Sequence, residues 1–215
     1  MNRNESRARG LNRLANLRHE NRETGEQMEE LAGRFETLAG KTAKTRAVSA
    51  FNLFQTPPAI AETLAQIFPR FRRTLEPSAG LGRLYRAVRA IDETAEIVLV
   101  ERSPDCCREL YEAIEGDGTA KLLQGDFLEK TPEEIGYFDS IIMNPPFCRG
   151  DDMRHIEHAR KFLSPGGRLA AICAAGPRQI RKYTQEEAYE FHHLPPDSFR
   201  SEGTSVSTAI VIIDN

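Results

Sequence analysis

Phe138-Asp139-Ser140-Ile141-Ile142-Met143-Asn144-Pro145-Pro146-Phe147 decides how the rest of the chain is read. Its first half is a short apolar run bounded by turn formers, the pattern of a buried parallel strand in an α/β sheet. Its second half contains two prolines, which cannot continue a hydrogen-bonded ladder, so the chain must leave the sheet at that strand's carboxyl edge. Open α/β sheets bind ligands at that edge. The break brings an amide side chain, a proline carbonyl and an aromatic ring into one small volume. Together they offer two acceptors for an amino group and a face on which a flat substrate can stack.

Three upstream segments repeat the theme of a strand ending in ligand-binding chemistry. Arg73-Thr74-Leu75-Glu76-Pro77-Ser78-Ala79-Gly80-Leu81-Gly82 reads as a short strand, a tight turn of small residues and a helix opening at Leu84. Small residues let the backbone approach a ligand closely. A dinucleotide fingerprint would place a third glycine after Gly80 and Gly82, but Tyr85 and Arg86 stand there, which disfavours a Rossmann nicotinamide site. Glu96 to Glu101 is a second strand with an acid at its carboxyl end, about 20 residues beyond the glycine turn, where an acid can bridge two ribose hydroxyls. The plainer reading of Glu101 is a surface acid at the start of the Pro104 helix. Leu122 to Leu128 is a third strand, ending with Asp126 and Phe127; an Asp in such a turn is common and says little alone.

Before these comes Phe51-Asn52-Leu53-Phe54-Gln55-Thr56-Pro57-Pro58, followed by Ile60, Leu64, Ile67 and Phe68 at helical spacing. Thr56 is expected to cap this helix, with Pro57 in its first turn, where a missing N–H costs nothing. A helix N-terminus with an aromatic just upstream can hold a carboxylate and cover a ligand. Residues 1–48 are rich in Arg, Glu, Leu and Ala, lack proline, and repeat Leu11, Leu14, Leu17, Met28, Leu31, Phe35 and Leu38 at helical spacing. They are expected to form a helical extension, broken near Gly25 and ended near Gly40. Basic at first and acidic from Glu20 to Glu36, this extension packs on the main domain, touches nucleic-acid phosphates, or serves a homodimer or a specificity partner.

Beyond Phe147, Cys148 to Met153 suits a mobile loop over the site. A helix is expected from His155 through Leu163, ended by Ser164-Pro165-Gly166-Gly167, and a fifth strand from Arg168 to Ala175. The charged run Pro177 to Glu187 is expected to be mobile. Glu190 to Pro196 and Val206 to Ile213 read as two strands joined by a loop. His155 and His158 stand at i, i+3, a spacing that could ligate a metal, but no third ligand is near, and no metal is expected.

Composition bounds the class. A chain of 215 residues with 40% hydrophobic and 28% charged residues is ordinary for one soluble globular domain with an appendage. A net charge of −3 does not advertise nucleic-acid binding, so any such role must rest on local patches. No stretch approaches ~18 apolar residues and no signal-peptide core is seen, so a cytoplasmic protein with no membrane partner is expected. Cys106, Cys107, Cys148 and Cys173 fit no Cys-x-x-Cys spacing and read as reduced thiols.

Asn144-Pro145-Pro146-Phe147 resembles the catalytic motif of S-adenosylmethionine-dependent methyltransferases that act on planar nitrogens, chiefly adenine N6. The Thr56-Pro57 segment, the Glu76 turn, Glu101 and Asp126 precede it in the order that family requires, covering residues 51–147. Agreement across so many levels is stronger than any single motif. The resemblance implies a doubly wound α/β methyltransferase sheet over residues 49–215, mostly parallel, with an antiparallel C-terminal hairpin. It implies S-adenosylmethionine as cofactor, held by Phe54, Thr56, Pro57, Glu76, Pro77, Ser78, Ala79, Gly80, Gly82, Glu101, Arg102, Asp126, Phe127 and Asn144. In that family the Glu76 position lies near the methionine end of the cofactor, the Asp126 position accepts from its adenine amino group, and the Phe127 position lies against that ring. Catalysis would fall to Asn144, Pro145, Pro146 and Phe147, with Phe147 stacking the target base and Phe199 bordering its pocket.

The Phe-Gln-Thr-Pro segment and the Phe199 to Thr204 loop resemble phage and restriction-type DNA enzymes, so adenine in DNA is the expected substrate. The chain departs from them because the segment between Ala175 and Val206 is too short for a target-recognition domain. RNA adenine and protein glutamine pose the same chemical problem and are the alternatives, followed by a non-catalytic binding module of the same fold.

Overall fold

In the computed structural model, residues 55–185 and 189–215 are described. The helical reading of residues 1–48, the boundary at 48/49, Phe54, and Glu186 and Glu187 lie outside the described residues. Segments of four to twelve residues form β1 (Arg73–Glu76), β2 (Glu96–Glu101), β3 (Ala120–Gln124), β4 (Phe138–Met143), β5 (Leu163–Ala174), β6 (Tyr189–His193) and β7 (Thr208–Asp214). Between them lie α1 (Pro58–Gln66), α2 (Arg83–Ile91), α3 (Pro104–Ala113), the single turn α4 (Pro132–Ile135), α5 (Asp151–Arg160) and α6 (Pro177–Gln185). The strands form one sheet in the order β3-β2-β1-β4-β5-β7-β6. β1 to β5 run parallel, and β7 pairs antiparallel with both β5 and β6. This is the doubly wound, mostly parallel sheet with antiparallel C-terminal strands that the resemblance implies.

Crossover helices cover the central strands, so β4 and β7 are buried almost end to end, which is why they read as continuous apolar runs rather than alternating ones. Ile141 and Met143 join Leu75, Val98, Leu169 and Val211 in a core that Ile156, Ala159 and Phe162 close from α5 and the segment after it. Each fully buried Leu, Ile or Phe there contributes roughly 1.5–3 kcal/mol. Cys106, Cys107 and Cys173 are buried, and burial pushes the Cys107 thiol up to about 11, so these cysteines are packing residues. Among the described residues no helix is long and apolar enough to cross a membrane.

Several boundaries differ from the sequence expectations, each for a local reason. Thr56 does not cap α1: Pro57 is the capping residue, and its carbonyl accepts from the Ala61 N–H at 3.0 Å. α2 opens at Arg83, behind Gly82, whose φ of 73° lies in the left-handed region and where an added Cβ would press on Leu110 at 2.9 Å. Ser164 to Gly167 does not end a helix but forms an irregular stretch inside β5, where pairing steps from Phe138–Leu163 to Ser140–Arg168. Gly167 is needed there because an added Cβ would lie 2.9–3.2 Å from the carbonyl oxygens of Ser164, Phe138 and Asp139. Where a loop is expected over Cys148 to Met153, Cys148–Gly150 is a 3-10 turn and Asp151 to Met153 are the first turn of α5. The charged run from Pro177 is a helix through Gln185, because Gln179 and Tyr183, four residues apart, are both buried.

Candidate active site

β1 sits between β2 and β4, and the winding of the sheet reverses between β1 and β4, the position at which open α/β sheets leave a crevice. A cavity of about 320 Å³ opens at the carboxyl ends of these strands. Its walls bring together Thr56, Glu76, Pro77, Ser78, Ala79, Gly80, Glu101, Arg102, Asp126, Phe127, Asn144, Pro145, Pro146 and Phe147. Three residues expected at the site are not on its walls. Pro57 caps α1, Gly82 caps α2, and Phe199 lies behind Phe147.

The acids at the strand ends occupy different environments. Glu76, the last residue of β1, is only 1% exposed, and its Oε2 has no hydrogen-bond partner among the described residues. Burial pushes its carboxyl well above the usual carboxylate range; the Tyr85 backbone N–H pulls it down in part, and Glu101 adds to the rise. Such an oxygen costs free energy until a donor or cation reaches it. Glu101 is instead wired into the backbone: Oε2 accepts from the Gly80 N–H at 2.8 Å and Oε1 from the Ser103 N–H at 2.7 Å. It therefore braces the glycine turn and the start of α3, while each oxygen keeps a second lone pair for a ligand. Asp126 accepts from the Leu128 N–H at 2.9 Å, which turns the chain after β3. Arg102, its side chain 79% exposed, stands 3.7 Å from Asp126 and forms a loose pair at the rim.

The opposite wall is built by the chain leaving β4. The Asn144 Nδ2 donates to the Thr56 hydroxyl at 3.0 Å, joining segments 88 residues apart and committing the amide NH₂ to the protein. Arg83 Nε donates to Gln55 Oε1 at 3.0 Å and ties that same Thr-Pro segment to the glycine turn. Phe147 meets Phe199 edge to face, with centroids 6.0 Å apart and planes at 87°. Phe199 is 0% exposed, so it cannot border a base pocket in this conformation; it fixes the ring in front of it.

Phe127 also differs from expectation. Its ring is 2% exposed and packs against His155, His158 and Phe162, so it anchors the pocket wall to the core rather than offering an exposed stacking face. His155, from α5, shares the cavity wall with Asp151 and Arg154. It is nearly buried, its Nδ1 has no partner among the described residues, and desolvation lowers its pKa, which favours a neutral imidazole. His158 contacts the Lys130 carbonyl oxygen at 3.0 Å. Among the described residues, no three metal-ligating side chains cluster. Asp151, Arg154 and His155 escaped the sequence reading as wall residues, although their spacing on the first turns after Phe147 was the available signal.

The buried, orphaned Glu76 oxygen beside a turn of small residues suits a cofactor with a cationic amino group, and flanking acids suit hydroxyl and amino donors. Comparison with known proteins gives the same chemistry. The family model described as the methyltransferase small domain matches residues 57–185. Among solved structures, a candidate RNA methyltransferase from Pyrococcus horikoshii is similar at 20% identity and a TM-score of 0.62, over 87% of this chain and 97% of that one. A predicted O-methyltransferase from Agrobacterium tumefaciens is similar at 24% identity and 0.56, over 72% and 79%. An rRNA methylase from Streptococcus thermophilus is similar at 12% identity and 0.54, over 75% and 98%. At these identities the likeness is one of fold. No sequence match among curated proteins was found. With more than half of its length matched by the family model, the chain belongs to the methyltransferase small domain family, and its cofactor is S-adenosylmethionine.

Proposed function

We propose that this methyltransferase acts on the exocyclic N6 of adenine in DNA, with Asn144-Pro145-Pro146-Phe147 as its catalytic motif. The observation that carries the reading is the wall after β4: an amide held by Thr56 and an aromatic ring braced by Phe199, across one cavity from a buried acid. When bound, S-adenosylmethionine supplies an electrophilic methyl group on a sulfonium. Glu76 would take its ammonium group, Glu101 its ribose hydroxyls and Asp126 its adenine amino group. Pro77, Ser78, Ala79 and Gly80 would let it lie close to the backbone, and Arg102 and Phe127 would flank its adenine end.

An exocyclic adenine nitrogen is a poor nucleophile because its lone pair is delocalised into the ring. The Asn144 Oδ1 and the Pro145 carbonyl accept its two N–H bonds and favour a pyramidal nitrogen, which returns the lone pair to that atom. Phe147 stacks the base once it has left the helix, at the usual cost of a few kcal/mol for unstacking. Alignment and fixed dipoles would then supply the catalysis, with no covalent bond between enzyme and substrate; the amine would gain the methyl and release one proton to solvent, the sulfonium leaving as a neutral thioether. RNA is the second reading, supported by neighbours whose descriptions name RNA or rRNA.

The test is transfer of labelled methyl to unmethylated duplex DNA, with RNA and a glutamine-containing peptide in parallel and the modified residue identified after digestion. N6-methyladenine in DNA is expected. Asn144→Ala should lose about 100-fold or more in turnover while cofactor affinity changes by no more than a few-fold. Unchanged turnover in that variant would remove Asn144 from the mechanism, and transfer to RNA alone would move the substrate.

A further inference from the structure

The segment that follows Phe147 differs in charge from the chain as a whole. From Phe147 to Gln185 there are eight Lys and Arg against three Asp and Glu, and one of the eight, Arg168, lies at the opposite edge of the sheet, paired with Asp214. The three acids are already engaged. Asp151 pairs with Arg154 at 2.8 Å, and Glu157 pairs with Lys182 at 3.0 Å and Arg160 at 3.2 Å. Asp152, fully buried, accepts from the Ala174 N–H and the Gln179 side chain, which fastens α6 to α5 and the end of β5. Arg149, Arg178 and Arg181 are exposed and form no ion pair among the described residues.

Geometry joins these three arginines to the site. Arg149 lies two residues beyond Phe147, with its backbone in the left-handed region, φ 55° and ψ 20°. A side chain on the next residue, Gly150, would meet the Arg178 guanidinium at 4.0 Å, so Arg178 reaches over the turn from α6. Gln179 and Tyr183 point inward from that helix, and Arg181 follows Arg178 on the outer face after about 4.5 Å of helix axis. The result is a row of unneutralised guanidinium groups leading away from the residues that would hold the target base.

We infer that Arg149, Arg178 and Arg181 form a track for the sugar–phosphate backbone of the strand carrying the target base. This rests on the nucleic-acid reading of the site and specifies how the strand is held. Guanidinium groups suit phosphate, and contacts of this kind orient a strand without reading its sequence.

The test compares wild type with the triple variant Arg149→Ala, Arg178→Ala and Arg181→Ala, and with Arg72→Ala as an exposed control at the far end of β1. Binding to a duplex DNA oligonucleotide is measured across salt concentrations, with a single-stranded RNA oligonucleotide as second arm and a cofactor titration as the fold control. The triple variant should raise the Kd and KM for DNA by about tenfold or more. It should flatten the slope of log K against log salt by about two to three, at roughly 0.9 per lost phosphate contact, or 0.7 on the RNA arm. Cofactor affinity should not change, and Arg72→Ala should keep the wild-type slope. A triple variant that methylates DNA with wild-type KM and salt slope would overturn the track while leaving the nucleic-acid reading intact. Wild-type protein that binds and methylates neither DNA nor RNA would overturn both.

Discussion

The two edges of the parallel sheet solve opposite problems. At the edge where β1, β2 and β4 begin, Arg73 donates to Glu96 at 3.1 Å, the Tyr137 carbonyl at 2.7 Å and the Ile135 carbonyl at 2.9 Å, and its guanidinium lies 4.4 Å over the Phe138 ring. Beside it Arg168 forks onto Asp214 at 2.7 and 2.8 Å, and Asn215 donates to the Leu163 and Ser164 carbonyls. At the other edge Glu76 is buried with an orphaned oxygen, the His155 Nδ1 lacks a partner, and Arg149 holds a left-handed backbone. At the first edge, Arg73, Arg168 and Asn215 find their partners within the protein and hold the fold together. The other leaves polar groups for a ligand, at a cost in stability that the first edge and the core offset.

The largest expected contrast comes from Glu76→Gln. Neutralising a buried acid that meets a cationic group should weaken cofactor binding by roughly 2–3 kcal/mol, about 30- to 150-fold, measured by titration. The same change should leave Tm level or higher, because an amide is cheaper to bury than a carboxylate. The pH dependence follows from the direction of the shift. Glu76 has a folded pKa above its ordinary 4.5, so its folded form binds a proton more tightly than its unfolded form. Its contribution to stability is therefore complete below about 4.5 and is lost as pH rises toward the raised value, and Glu76→Gln should flatten that decline. A variant that loses Tm but keeps cofactor affinity would reverse the roles assigned to the two edges.

Arg73→Ala probes the other side. It removes three hydrogen bonds and the cover of Phe138, leaving the Ile135 and Tyr137 carbonyls to water. Because Arg73 is about one-third exposed, the loss should be near 2 kcal/mol in chemical denaturation rather than the larger figure its bond count suggests. Cofactor affinity should hold. A loss of affinity comparable to that of Glu76→Gln would mean that the edges are coupled through β1, whose four residues run from Arg73 to Glu76.

How far these edges could be read from sequence depends on what forces the backbone. Pro145 and Pro146 cannot remain in a ladder and Gly82 adopts a left-handed turn that side chains disfavour, so the strand ends, the crevice and most of its walls were legible. Side-chain direction in loops was not. Phe127 and Phe199 each follow a turn, where an aromatic ring can face a ligand or the core with equal local propensity, and only the packing of His158 and Phe162, or of Phe147, decides. The capping of α1 was displaced by one residue because Thr-Pro-Pro offers a hydroxyl and a proline carbonyl in succession, and Asn144, 88 residues away, claims the hydroxyl. α6 was hidden because its charged residues outnumber the two buried side chains that hold it down. The Arg73 clamp has no local signature, since its partners lie 23 and more than 60 residues away.

The smallest expected effect, Asp214→Asn, asks whether the far edge is held by charge or by shape. The Arg168–Asp214 fork is bidentate, and the pairing raises the Arg168 pKa, yet both side chains remain at least a third exposed, 34% and 57%. Screening by water should reduce the pair to about 0.5 kcal/mol, below what its geometry suggests, and 1 M salt should erase the difference from wild type. An asparagine still accepts one guanidinium hydrogen bond, and Arg168 keeps its bond to the Ile67 carbonyl at 3.3 Å, so the edge has a second tie when the charge is gone. A loss above about 1.5 kcal/mol that survives high salt would show that the fork positions β7 against β5 by geometry. The Asn215 bonds to Leu163 and Ser164, one residue beyond Asp214, would then depend on the same fork, and the irregular stretch of β5 at Gly166 and Gly167 should loosen with it.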